Sequence, residues 1–333
     1  MKLEDFMDRF SVCTCLNNYG ADMAESSLAD WLEFAALRDV RAPWSVVSDS
    51  WQDAGLIDVD ESNMIVRYYD LALKKIELRK DYLADDYPFK LDQFNCLVVK
   101  DNFDIANSLY IDLLLISLLK GFADENNREV LHSITSYFEL LTNECLKSWF
   151  GGNDCKSKSF FKSAVIGTSI KGNFEKKLEH AANKLGLVAV PTAAPHSKCA
   201  KDDGVDIVCG LVWSDGRKTD LLWAVQAACG KSSKWKGKLD SIHSVKWAAY
   251  FDERVELRAL IAIPYHITDR AINGMVDEIG NRSYLDRMRL VKLSDISQTL
   301  SNNNTLNSLR LKVFQLAVSE LEIDKFSKLK ATS

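Results

Sequence analysis

Apolar residues recur every three to four positions over 27–37 (Leu28, Trp31, Leu32, Phe34, Ala35), 66–82, 105–120 and 128–149, the spacing of helices that bury one face. In this first half only Phe94-Asn95-Cys96-Leu97-Val98-Val99 has the β-branched, unbroken character of a strand. Two further helices around Ala42-Pro43-Trp44, followed by Gly55-Leu56-Ile57-Asp58-Val59, would form a winged-helix-like unit. The rhythm changes after Trp149, where Phe150-Gly151-Gly152-Asn153-Asp154 breaks the helical stretch.

Beyond that break the pattern predicts a helix over 173–185 and short strands over 187–190, 205–212 and 221–228. There follow a helix over 235–250, a buried strand over 255–263 ended by Pro264, a helix over 267–279, a strand over 288–291 and a closing helix over 306–321. Three strands linked by short turns form an antiparallel meander, and a crossover helix returns the next strand parallel. The expected fold class is therefore α+β or α/β, a mixed sheet flanked by helices and preceded by a mainly helical region. Residues 1–150 and 151–333 are expected as two domains. No internal repeat or low-complexity tract interrupts either.

Charge divides the chain at the same place. Residues 1–150 hold 14 Lys/Arg against 27 Asp/Glu, residues 151–260 hold 18 against 12, and the remainder holds 10 against 8. A polyanion would dock on the second half, whereas the acidic first half suits regulation or a protein partner better than DNA. The longest apolar run, 113–119, is far short of the roughly 20 residues that span a membrane. The opening residues are acidic where a signal peptide would be basic and then apolar, so a cytoplasmic location and no membrane partner are expected. Eight cysteines are scattered without a disulfide framework, and Cys96, Cys145, Cys209 and Cys229 stand in apolar segments that suit buried thiols.

The chemistry concentrates between 203 and 238. Asp203-Gly204-Val205-Asp206-Ile207-Val208 puts an acid at the start of a short apolar strand. Gln226 ends the next strand, and lysines cluster around Trp235 just beyond it. An acid, a second oxygen donor and nearby ammonium groups are what hold Mg²⁺ beside a scissile phosphate. Cys13-x-Cys15 with His196-x-x-Cys199 is a weaker zinc pattern, one residue short of the usual first spacing. His243 and His266 are too isolated to form a nucleophilic triad, and no P-loop is complete, because Val225 stands where its first glycine is needed. Trp235 and Trp247 could stack bases, although their spacing also fits a core.

These segments, with Gln226-Ala227-Ala228-Cys229-Gly230-Lys231 and Trp235-Lys236-Gly237-Lys238, resemble the PD-(D/E)xK, or restriction-endonuclease-like, nuclease superfamily. They are similar to a branch that includes bacterial phage-defence components. The resemblance covers about residues 170–292. It implies a Mg²⁺- or Mn²⁺-dependent endodeoxyribonuclease, with Asp206, Gln226, the carbonyl of Ala227 and Glu175 as metal ligands. It also implies a catalytic lysine two residues after the second ligand, but that slot holds Ala228, so Lys238 or Lys231 is expected to replace it. Implied partners are DNA and, through residues 1–150, a helicase or ATPase; an oligomer is possible. The alternatives are a nucleic-acid-binding subunit that does not cut and an adaptor for such a partner.

Overall fold

The computed structural model describes residues 23–41, 62–122, 127–151, 161–167, 169–194, 203–212, 222–251, 257–269, 271–272, 282–294, 300 and 303–331. Helices α1 (Ala24–Leu37) and α2 (Ser62–Leu83) come first, then a small antiparallel pair, β1 (Phe89–Leu91) and β2 (Leu97–Val99). Helices α3 (Leu109–Phe122) and α4 (Arg128–Gly151) follow. The second half supplies β3 (Phe161–Val165), α5 (Phe174–Leu185), β4 (Ile207–Leu211), β5 (Leu222–Ala227), α6 (Trp235–Ser241), α7 (Ser244–Tyr250), β6 (Leu257–Ala262), β7 (Arg282–Leu285), α8 (Arg287–Leu293) and α9 (Asn304–Glu320). The fold is thus mixed α and β.

Strands β3 to β7 form one sheet in sequence order. The β3–β4 and β4–β5 pairs are antiparallel, while β5–β6 and β6–β7 are parallel. Because residues alternate across a strand, Phe161, Val165, Ile207, Trp223, Val225 and Leu260 face one way. They join a single buried cluster with Leu32 of α1, Ile76 of α2, Leu114 of α3, Phe138 of α4, Leu290 of α8 and Phe314 of α9. Ala164, Val208, Ala224 and Ile261 face the other way, against Phe174 and Leu178 of α5, Trp235 of α6 and Trp247 of α7. The sheet is a middle layer. The division expected at residue 150 falls at the end of α4, and this first cluster runs across it.

Local signals account for the clearest elements. Helix α5 starts where the Asn173 side chain accepts from Lys176 N (3.1 Å) and stops where Gly186 takes a left-handed φ of 68°. Its buried residues Phe174, Lys177, Leu178, Ala181, Ala182 and Leu185 are one helical stripe.

Several expectations are corrected. Residues 187–190 form only an isolated bridge, Ala189 to Phe251, and the strand beside β4 is β3, upstream of α5 rather than after it. The strand expected over 288–291 lies inside α8; the last strand is β7, whose Arg282-Ser283-Tyr284-Leu285 is too polar to announce itself. The helix expected over 235–250 is two short helices, α6 and α7, separated at Ile242 and His243. Strand β1 was not anticipated. The winged-helix-like unit at 42–59, the zinc-pattern residues Cys13, Cys15, His196 and Cys199, and most of the helix expected over 267–279 lie outside the described residues. Cys96, Cys145, Cys209 and Cys229 are free and buried. Among the described residues no helix is long and apolar enough to cross a membrane.

Candidate functional site

Asp206 stands one residue before β4 and is locked by the strands on both sides. Its amide donates to Val225 O (2.9 Å), and its carbonyl accepts from Ile166 N (2.8 Å) and Gly167 N (3.0 Å). Its Oδ2 accepts from Ala227 N at 2.8 Å, and the side chain is only 7% exposed. The β4–β5 ladder ends at Ile207 with Val225, and Gln226, the next residue of β5, shares by alternation the face of Ala224 rather than that of Val225. The Gln226 side-chain Oε1 is buried and has no hydrogen-bond partner. An orphaned buried acceptor costs about 1–3 kcal/mol.

A second carboxylate reaches the same place from the opposite layer. Glu139 of α4 is 4% exposed, and its Oε2 accepts from Ser169 N at 2.9 Å. A Cβ placed on Gly167 would stand 2.7 Å from Glu139 Oε2 and 2.9 Å from Asp206 Oδ1. Any larger residue at 167 would push one or both carboxylates aside, so glycine here preserves their close approach. From the other face of the sheet, Lys177 of α5 donates through Nζ to Ile166 O (3.1 Å) and Gly167 O (2.6 Å). Ile166, Gly167 and Ser169 are thus held from both sides.

Two buried carboxylates turned on one another repel unless a cation or a shared proton lies near them. Lysines approach from two elements. Burial pushes the Cys229 thiol up to about 12, the charges of Lys120 and Lys238 oppose that shift, and those of Glu139 and Asp206 add to it. All four side chains therefore act electrostatically on one sulfur just beyond β5.

The expected site residues are distributed unevenly around this centre. Asp206 and Gln226 lie at the same end of neighbouring strands, and the amide of Ala227 fixes one oxygen of Asp206. Glu175 lies exposed on the first turn of α5, and the acid that meets Asp206 is Glu139. Lys238 is half-buried on α6, whereas Lys231 is exposed on the loop after β5. Ala228 is fully buried, with its amide on Ala262 O at 2.8 Å, so that slot offers no room for an ammonium. Trp235 and Trp247 are core residues, 1% and 0% exposed. Among the described residues no group of three His, Cys, Asp or Glu side chains is placed to hold a metal ion; the centre here has two carboxylates.

Sequence reasoning missed Glu139, Gly167, Lys120 and Lys177. Glu139 had a signal, for it is the lone acid in the apolar run Tyr137-Phe138-Glu139-Leu140-Leu141.

A second buried charge group closes the neighbouring corner of the molecule. Arg287 of α8 donates to both oxygens of Asp30 on α1 (2.8 and 2.6 Å), and Arg79 of α2 pairs with Asp30 (2.7 Å) and Glu33 (2.8 Å). All four are completely buried. Arg79 Nε also donates to His266 Nδ1 at 3.1 Å, and burial with the adjacent guanidinium holds that imidazole well below its ordinary pKa. This group ties α1, α2 and α8 to the segment leaving β6.

No protein-family model matches this chain, and neither a curated protein nor a solved structure matches it.

Proposed function

We propose that the protein is a metal-dependent nuclease that hydrolyses DNA phosphodiester bonds where Asp206 and Glu139 meet. The observation that carries this reading is the convergence of two buried carboxylates, one from the sheet and one from the helix layer packed on it, at Gly167. A donor set made only of oxygens suits Mg²⁺ or Mn²⁺. Asp206 and Glu139 would hold that ion, and the resemblance adds the oxygen of Gln226. When bound, it would supply a hydroxide near neutral pH and neutralise charge on the phosphate.

The protein groups have separate tasks. Ala227 N fixes Asp206 Oδ2, and Ser169 N fixes Glu139 Oε2, so neither carboxylate must reorganise. Lys238, whose charge acts on Cys229 just beyond β5, would stand in for the lysine absent at Ala228 and offset charge developing on the phosphate. The element order also supports the restriction-endonuclease-like resemblance. A helix (α4), three antiparallel strands (β3, β4, β5), helices (α6, α7) and a parallel strand (β6) follow one another, with α5 inserted between β3 and β4. In that order the acid-bearing first helix is α4, which gives Glu139 the part expected of Glu175. A role in anti-phage defence rests on the resemblance.

Plasmid DNA incubated with the protein and Mg²⁺ or Mn²⁺ tests the proposal. Cutting should occur, stop with chelator, and fall at least 10²-fold in Asp206→Ala and Glu139→Ala, the order of loss for removing a preorganised group. Equal rates in wild type and both variants would overturn the assignment. DNA binding without cutting under either metal would favour the non-cleaving subunit instead, a reading to which Ala228 lends weight.

A further inference from the structure

The segment just past the proposed centre, residues 230–238, has features that the fold itself does not require. Lys231 and Lys234 are exposed and Lys238 is half-buried, and none of the three has an ion-pair partner among the described residues. No acid occurs between Gln226 and Asp240. The backbone beneath these lysines is nonetheless firmly held. Trp235 is buried and donates from Nε1 to Gly230 O at 2.9 Å, its ring lies 5.7 Å from that of Tyr265, and the Tyr265 hydroxyl donates to Cys229 O at 2.6 Å.

Two glycines sharpen the picture. A Cβ on Gly230 or Gly237 would meet nothing within 4 Å, and neither residue has a φ that excludes other side chains. Gly237 moreover sits inside α6, where glycine weakens a helix. Neither packing nor backbone conformation asks for these glycines, whereas a partner lying close against the backbone would.

We propose that residues 230–238 form a rigid ledge that grips the phosphate backbone of duplex DNA, next to the centre at Asp206 and Glu139. The proposal rests on the nuclease reading and names where its substrate lies. Charge complementarity favours a polyanion, and the open glycines let a backbone approach. Trp235 and Trp247 are spent in the core, so the ledge offers contacts to phosphates rather than rings for unstacked bases. Duplex DNA, whose bases stay stacked inside, fits that chemistry better than a single strand.

The test measures binding apart from cleavage. The full chain is titrated with a fluorescent 20-base-pair duplex, and with one of its single strands, in chelator at several salt concentrations. Lys231→Ser with Lys234→Ser should weaken duplex binding about tenfold or more at low salt and reduce the salt slope by about 2, as loss of two phosphate contacts does. Gly237→Glu, a change with open space around it and better helix propensity, should also weaken binding while leaving thermal stability equal or higher. Unchanged affinity and slope in both variants would overturn the ledge. Stronger wild-type binding of the single strand than of the duplex would overturn the assignment to duplex. The nuclease reading fails differently: wild type would bind the duplex with the expected salt slope yet never cut it under Mg²⁺ or Mn²⁺.

Discussion

Gln226 shows how a single residue can be bad for the fold and good for a site. Its Oε1 is buried without a partner, so the native state carries a desolvation penalty that an apolar side chain of similar length would not. Gln226→Met should therefore raise the urea midpoint, by roughly 1 kcal/mol of stability. The same variant should lose the rise in melting temperature that added Mg²⁺ gives the wild type, since an ion bound only to the native state stabilises it. A variant less stable than wild type, or one with an undiminished Mg²⁺ response, would show that this oxygen has another purpose. Asp206 and Gln226 could be read from the sequence because each ends a short apolar strand, where a polar residue is conspicuous. Glu139 could not be paired with them. It lies 67 positions before Asp206 on a helix whose pattern records only which face is buried, not which strand end that face meets.

At the scale of elements, the joint between α2 and the segment after β6 predicts a pH response. The folded chain keeps His266 neutral as acceptor for Arg79 Nε, with its pKa depressed chiefly by burial. Above pH about 6.5 the imidazole is neutral whether the chain is folded or not. Below that value the unfolded chain takes up a proton that the folded chain refuses, so acid favours unfolding, by up to about 1.4 kcal/mol per pH unit for this group. His266→Asn keeps an acceptor for Arg79 but cannot titrate. Urea unfolding at pH 7.5, 6.0 and 5.0 should show wild type losing stability relative to the variant as pH falls, and parallel curves would refute the coupling. Element by element, long helices such as α2 and α4 were legible because their apolar stripes repeat over many turns. The sheet was half legible. Buried β4, β5 and β6 are mostly apolar, while β3 and the edge strand β7 are short and mixed, and their place depends on partners far along the chain.

For the whole molecule, the decisive fact is that the acidic first half is one of the layers covering the sheet. Trp223, Val225 and Leu260 pack in the same cluster as residues of α1, α2, α3 and α4. Expressed alone, residues 151–333 would present that sheet face to water, and each large side chain so exposed forfeits about 1.5–3 kcal/mol. The fragment should lack a cooperative unfolding transition by circular dichroism in urea, and a sharp transition would refute this account. The charge segregation read from composition thus lies across one shared hydrophobic cluster.

The position of α9 carries a consequence for how such a chain is made. Phe314 and Val313 of this helix complete the layer that holds α3 and α4, and Arg310 reaches Asp112 of α3 at 2.9 Å. During synthesis, Glu139 and Asp206 leave the ribosome long before residues 304–320 do. The layer that presents Glu139 to Asp206 is therefore unfinished while most of the chain is already exposed to the cell. A product released early, or clipped between α8 and α9, would carry both acids and still lack the packing that fixes them.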